Sequence, residues 1–444
     1  MIRSTFDRWA ERSFVAALEQ LRHGLLTVRA PGFTRTFGNG AGHVAELHIH
    51  HRGFFTRVIA GGEIALGDTY MDGQWTSPGL ISLVRLMLAN RDVLTALPAW
   101  LSWLPRAVEQ AAHWRRDNSR TGSRRNIHEH YDLGNTFFRL FLDPNLMYSC
   151  AVYEDPGDSL ESAQVNKLRL ICDRLDLQPG DRLLEIGTGW GGLALFAATR
   201  YGCHVTTTTI SAEQHAHAAA RFRAAGEAGR RIDLRLEDYR DLQGRFDKIV
   251  SIEMFEAVGL SHYDEFFGAC DRLLAPGGTM LIQTITVDDW RFADYLATPS
   301  WIAKRIFPGS ELASVSGMLA SMARVSRFSM QHARQIGPHY ATTLRQWRER
   351  FHDRLDDVRA MGFDARFIRM WDLYLAYCEA AFQDRHIGNI QLLLAKAGEP
   401  RKMGEDRCES SPSAAALRLA PLAESMPPKT ISGGGVSGGR SLRR

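Results

Sequence analysis

The chain has 444 residues, room for two or three domains at roughly 100–200 residues each. Apolar residues make up 45% and charged residues 23%, which excludes a mostly disordered protein. The net charge of +4 is supplied by the last 44 residues, with eight basic and four acidic side chains; the other 400 are formally neutral and lack the basic field of a nucleic-acid binder.

The N-terminus, MIRSTFDRWAERSF, places charges where a signal peptide needs an apolar core. No apolar run approaches the ~20 residues of a membrane span. Six scattered cysteines without a CxxC pair fit a reducing compartment, so a cytoplasmic protein with at most peripheral membrane contact is expected. Residues 1–105 read as a small α+β accessory domain. Its stretch AELHIHHRGFFTRVIAGG (45–62) is rich in β-branched and aromatic residues and predicts a strand, and GLISLVRLMLANRDVLTALPAWLSWL (79–104) has helical apolar spacing. Residues 106–127 form a basic helix or linker, with Arg115, Arg116, Arg120, Arg124 and Arg125 clustered.

From 128 to 396 strand and helix signals alternate. DRLLEIGTGWGG is a strand entering a glycine turn, LALFAATRYG a helix and CHVTTTTIS a β-branched strand; SAEQHAHAAARFRAA is a helix that Ser211 can cap. IDLRLEDY, FDKIVSIE and, after the turn APGG, TMLIQTITV are further strands. This alternation predicts an α/β fold with a doubly wound parallel sheet. From 397 to 444 the Ser/Gly/Pro-rich tail reads as disordered.

The motif Glu185-Ile186-Gly187-Thr188-Gly189-Trp190-Gly191-Gly192 ends an apolar strand and opens a helix. Glycines there permit a tight turn and close backbone approach to a ligand, although a structural glycine turn alone would look the same. A nicotinamide site wants an acidic residue at the end of the second strand, but Thr207-Thr208-Thr209-Ile210-Ser211 has none. Glu185, at the tip of the first strand, suits a cationic ligand, and S-adenosylmethionine carries a sulfonium and an amino group. Asp238 and Tyr239 follow the third strand, where a polar residue beside an aromatic could clamp adenine; simple packing is the alternative for Tyr239.

Taken together, HYDLGNTFFRLFLDPNLMYSCAVY (130–153), LLEIGTGWGG (183–192), TISAEQ (209–214), EDYRDL (237–242), FDKIVSIEMFEAVG (246–259), IFPGSELAS (306–314) and PHYATTL (338–344) resemble the cyclopropane-fatty-acyl-phospholipid synthases and the related mycolic acid cyclopropane synthases. The likeness runs in order from about His128 to Lys396. It implies a Rossmann-like S-adenosylmethionine-dependent methyltransferase with added helices forming a lipid tunnel. It also implies methyl addition to a cis double bond of an acyl chain in a membrane phospholipid, then ring closure by proton loss to a bound bicarbonate. The longer relatives suggest a homodimer or lipid-docking role for the N-terminal segment.

Carried over by motif, the anion-site residues are Cys150, Glu256 and Tyr340, with Gln283 standing where the family has a histidine. An amide still donates a hydrogen bond but takes no proton, so proton loss is the step most affected, and a methyl- or methylene-branched product stays open. Thr188 replaces a usual Cys, Ala257 a His, and Glu253 stands where Gly is common. Thr209 and Gln214 are candidates for the ribose and amino-acid end of S-adenosylmethionine; Tyr131, Gly134, Tyr148 and Ser149 are candidates to close over it. Cys150 lacks the His–Asp pattern of a nucleophile, and His128 with His130 lack a third ligand, so no metal is expected. A cation in an apolar tunnel calls for aromatic faces, and Trp290, Phe292, Tyr295, Trp301, Phe307, Phe328, Tyr340 and Trp347 supply them unless they only pack helices. The basic stretch 115–125 and Arg440, Arg443 and Arg444 are either a solvated face or a contact to an anionic membrane surface. A small-molecule methyltransferase and a non-catalytic lipid- or S-adenosylmethionine-binding protein are the rival readings.

Overall fold

A computed structural model describes residues 5–92, 133–298 and 300–398. The basic segment 106–127, Tyr131, the pair His128 and His130, and the tail beyond residue 398 lie outside the described residues.

The N-terminal part is a four-stranded sheet covered by helices. Helix α1 (Thr5–Leu18) precedes strands β1 (Leu25–Ala30), β2 (Phe33–Gly38) and β3 (Val44–Ile49), then α2 (Gly53–Met71), β4 (Trp75–Thr76) and α3 (Leu80–Ala89). The strand order is β2-β1-β3-β4, with β1 and β3 parallel and the other pairs antiparallel. The strand predicted over 45–62 is only half right. Strand β3 stops at Ile49, and Gly53 opens a helix. Phe54, Phe55, Val58 and Ile59 have helical spacing and are buried, with Phe14 edge-on to Phe54 and Phe55. Burial against α1 overrides their strand preference. Gly62, at φ 56° and ψ −137°, breaks the helical conformation within α2.

The larger sheet has the order β10-β11-β9-β8-β5-β6-β7. Its strands are β5 (Arg182–Ile186), β6 (His204–Thr209), β7 (Ile232–Leu236), β8 (Phe246–Ile252), β9 (Leu274–Thr286), β10 (Phe328–Gln335) and β11 (Gly388–Lys396). Strands β5 to β9 are parallel, and β11 runs antiparallel to β9 and β10. APGG bulges out of β9, between the Phe246–Leu274 and Lys248–Thr279 pairs.

Alternation along each central strand feeds two cores. Leu183, Val250 and Leu281 face α4 (Leu160–Arg174), α5 (Gly192–Arg200) and α6 (Ala212–Ala224). Leu184, Ile249 and Met280 face α7 (Tyr263–Leu273) and α8 (Val315–Val325). The helices start where the sequence provides caps: Ser159, Ser211 and Ser314 each accept a backbone N–H from the first turn.

A third core joins the two sheets. Phe14, Phe54 and Trp75 of the N-terminal part share it with Phe137, Trp347 on α9 (Gly337–Asp353) and Trp371 on α10 (Ala365–Gln383). Helix α10 packs on α2 and α3. Polar ties cross the same boundary. Arg305 bonds Asp68 at 2.6 Å, Arg85 bonds Asp384 at 2.6 Å, and Tyr70 bonds Asp372. Trp301 lies so close to α2 that a Cβ on Gly67 would sit 2.4 Å from its indole nitrogen. Among the described residues, no helix is long and apolar enough to cross a membrane.

Candidate functional site

Neighbours on either side of β5 are entered by crossovers in opposite directions, so a crevice opens at its carboxyl end. A cavity of about 360 Å³ lies there. It begins at the glycine turn and reaches the helices that follow β9. Gly187 (φ 102°) and Gly189 (φ 51°) make the turn; a Cβ on Gly189 would meet no atom within 4 Å, so the backbone there is open to a ligand. Gly192 serves packing instead, since a Cβ there would sit 2.5 Å from Met147 Sδ.

Glu185 lines this end and is 4% exposed. Its Oε2 accepts the Thr207 hydroxyl at 2.5 Å, and burial pushes its carboxyl up to about 8. Thr207 also meets Thr188 Oγ1 at 2.7 Å. The Thr209 hydroxyl donates to Gln214 Oε1 at 2.9 Å, and both residues line the cavity. Asp238 lines it as well, but its carboxylate is held by the Arg240 guanidinium, Nη2 to Oδ2 at 2.7 Å. Tyr239 packs edge-on to Phe266 and keeps a face on the cavity.

The segment Leu146–Ser149 closes one side. Gln164 donates to the Met147 and Ser149 carbonyls, and Lys167 donates to Ser149 Oγ at 2.6 Å. Lys167 is fully buried, which pulls its ammonium down to about 8 against the opposing pull of Glu253 and Asp143. The Tyr148 and Tyr374 hydroxyls meet at 3.0 Å, and Phe307, Tyr340 and Phe382 continue the aromatic wall. Of the other aromatic residues after β9, Tyr295 lines the cavity and Trp347 packs at a tilt against Tyr148, whereas Trp301 packs on α2 and Trp290 is 80% exposed.

At the centre stands Glu253. Its Oε1 accepts three donors: Cys150 N at 3.0 Å, Gln283 Nε2 at 2.8 Å and Asn389 Nδ2 at 2.6 Å. Its Oε2 accepts the Tyr340 hydroxyl at 2.7 Å. Burial, then Glu253, pushes that hydroxyl well above its usual value, so it remains a donor. Cys150 offers only its backbone; its thiol is raised by burial and turns toward the Ala151 and Ile336 carbonyls. Glu256, one short helical turn on, accepts Ile285 N at 2.5 Å with Oε1, while Oε2 is buried without a hydrogen-bond partner. Burial first and Glu253 second push its carboxyl up to about 8.

Of the residues singled out from sequence, Tyr148, Ser149, Glu185, Gly187, Gly189, Thr209, Gln214, Asp238, Tyr239, Glu256 and Tyr340 line one cavity. Cys150 and Gln283 are fully buried behind Glu253. The donors that the resemblance reserves for bicarbonate are spent on a side chain of the protein. Bicarbonate does not fit beside it, because a second anion would find these donors taken and a like charge in the way. Glu253, Asn389, Gln164 and Lys167 were missed as site residues. Glu at a position where the resemblance makes Gly common was the one available signal.

A family model for mycolic acid cyclopropane synthetase matches residues 118–392. The tuberculostearic acid methyltransferase UfaA1 of Mycobacterium tuberculosis is 40% identical over 364 residues, 80% of this chain and 84% of that protein. The cyclopropane-fatty-acyl-phospholipid synthase of Escherichia coli K12 is 39% identical over 357 residues, 80% of this chain and 89% of that protein. Among solved structures, the mycolic acid cyclopropane synthase CmaA1 complexed with SAH and CTAB is 32% identical with a TM-score of 0.57, covering 62% of this chain and 98% of that one.

Proposed function

The chain belongs to the mycolic acid cyclopropane synthetase family, and we propose that it transfers the methyl group of S-adenosylmethionine to the cis double bond of an unsaturated acyl chain in a membrane phospholipid, closing a cyclopropane. The observation that carries this reading is the single cavity that joins the Glu185 end to an aromatic-walled end bearing Glu253 and Glu256. The residues present fit S-adenosylmethionine. A carboxyl raised by burial, beside an open glycine backbone, suits a cationic ligand that lies against the turn. Glu185, Thr209, Gln214 and Tyr239 would hold it, with Tyr148 and Ser149 closing over. When bound, it supplies an electrophilic methyl carbon whose leaving group is a neutral thioether.

The protein's part is placement and charge. An alkene is a weak nucleophile, so holding it close and in line matters most; such positioning is worth about 7–11 kcal/mol of barrier. The attack leaves a carbocation on the chain. The aromatic rings of Tyr148, Phe307 and Tyr340 and the nearby carboxylate favour that charge, and the mostly apolar lining disfavours water beside it. The peripheral approach to the membrane belongs to the same proposal, since the substrate is a lipid.

The test is direct. Purified protein is incubated with S-adenosylmethionine and dioleoyl phosphatidylglycerol vesicles, and the fatty acid methyl esters are analysed by gas chromatography and mass spectrometry. A mass gain of one CH2 with loss of the olefin is expected. Unchanged lipid overturns the reading in favour of a small-molecule methyltransferase. A gain of one CH2 that keeps an olefin supports the second reading, a methylene-branched product, which the 40% identity to a tuberculostearic acid methyltransferase and the amide at Gln283 favour.

A further inference from the structure

We propose that the Glu253 carboxylate is itself the resident anion of this site and takes the proton from the alkylated chain. The inference rests on the alkylation reading above and names a residue for its last step.

Four observations converge on it. The backbone N–H of Cys150, two amides and the Tyr340 hydroxyl all donate to its two oxygens, which is how an ionised carboxylate, an acceptor only, is held. The amide of Gln283 is fixed in the donating direction, because its own oxygen accepts from Gln391 Nε2 at 2.9 Å. All four donors are uncharged, and the buried ammonium of Lys167, which feels the charge of Glu253, donates to Ser149 Oγ and not to this carboxylate. Finally, Glu253 sits at φ 49°, a left-handed backbone that is strained for a residue with a Cβ. Strain of this kind persists where the surroundings over-determine the conformation, and it clusters at reaction centres.

Glu253 also lines the cavity, and its Oε2 accepts from Tyr340 while retaining a second lone pair. The chemistry balances without another reactant. The alkene π pair forms the bond to the methyl carbon, and the C–S pair leaves on sulfur. The second alkene carbon is then a cation. Glu253 Oε2 accepts one proton of the added methyl group, and that C–H pair closes onto the cation as the third ring bond. One sulfonium and one alkene become one thioether, one cyclopropane and one proton on Glu253. After a 1,2-hydride shift, the same proton loss yields a methylene branch, again with no oxidant or reductant.

The experiment uses the full chain with dioleoyl phosphatidylglycerol vesicles in carbon dioxide-free buffer, with and without added sodium bicarbonate. Wild-type turnover should be the same in both. Glu253→Gly suits the left-handed backbone and opens the four donors to a small anion. Its turnover should fall about 100-fold or more, in the range of a lost general base, while titration shows S-adenosylmethionine affinity retained. Added bicarbonate should restore that variant by about tenfold or more, in saturable fashion. A wild-type rate that collapses without bicarbonate overturns the assignment, as does a Glu253→Gly variant that keeps wild-type turnover without it or gains nothing from it. Wild type that alkylates no lipid in either buffer sinks the alkylation reading instead.

Discussion

Tyr70 donates its hydroxyl to Asp372 Oδ2 at 3.0 Å, tying α2 of the N-terminal part to α10 of the helices around the cavity. The other oxygen of Asp372 accepts Arg348 Nε and His352 Nε2, each at 2.7 Å. Burial raises this carboxyl, but His352 and Arg348 outweigh it and hold it below the usual aspartate range. Its contribution to stability is therefore full above the ordinary aspartate value and lost as pH falls through the lowered one. Tyr70→Phe should cost about 1 kcal/mol and Asp372→Ala about 3–5 kcal/mol, the latter because Arg348 is left without its partner. Urea unfolding at neutral pH and at pH 3 checks both: the gap between wild type and Asp372→Ala should narrow in acid.

Gly67 and Trp301 give a second probe of the same boundary. A methyl group on Gly67 would meet the rigid indole at 2.4 Å, so Gly67→Ala must push Trp301 or α2 aside. Overpacking of this kind costs about 1–3 kcal/mol. A lowered thermal midpoint is expected, with Trp301→Leu in the Gly67→Ala background recovering part of it. A midpoint equal to wild type would show that the two parts are not pressed together here.

Glu185 predicts proton release on cofactor binding. With its carboxyl at about 8, the ligand-free protein holds that proton at neutral pH, and a cationic ligand expels it. Affinity for S-adenosylmethionine should rise with pH up to about 8. In the ligand-free protein the sign is opposite, for stability falls with rising pH wherever the folded chain keeps a proton that the unfolded chain has released. Calorimetry in buffers of different ionisation enthalpy measures the release. Glu185→Gln should abolish that component and weaken binding by about 10–100-fold. Equal proton counts in the two proteins would remove Glu185 from the ligand's contacts.

Glu256 should act differently from Glu253, although three positions separate them. At about 8 it is mostly neutral at pH 7, and its Oε2 is buried without a hydrogen-bond partner in a residue that lines the cavity. Ionisation adds negative charge beside a developing cation, so turnover at saturating S-adenosylmethionine should climb through pH 8. Glu256→Gln should match wild type within about threefold at pH 6.5 and fall about tenfold below it at pH 9. A pH profile that keeps its rise in the variant would assign the titration to another group.

The doubly wound sheet was legible because its signals are local. An apolar run into glycines, a serine before an alanine-rich helix and a β-branched run each specify one element, and Ser211 caps its helix as its position suggests. The helix at Gly53–Met71 was not, because Val58 and Ile59 carry strand preference and only the packing of Phe14 on Phe54 and Phe55 decides the matter. The motifs led to Cys150, Gln283 and Tyr340, which meet at one point in space. They could not show that the point is a carboxylate. Glu253 turns inward because its backbone is left-handed, and Asn389 reaches it from a strand 136 positions away; neither fact has a local signature. Lys167 is similar: lysine is a residue type rarely buried, yet this one is fully buried against Ser149.

The left-handed backbone at 253 also has an evolutionary reading. Glycine and glutamate codons differ by one middle base, and glycine is the residue most at ease with this conformation. A single middle-base change therefore separates the residue most at ease in this backbone from one that fills the pocket with its own carboxylate.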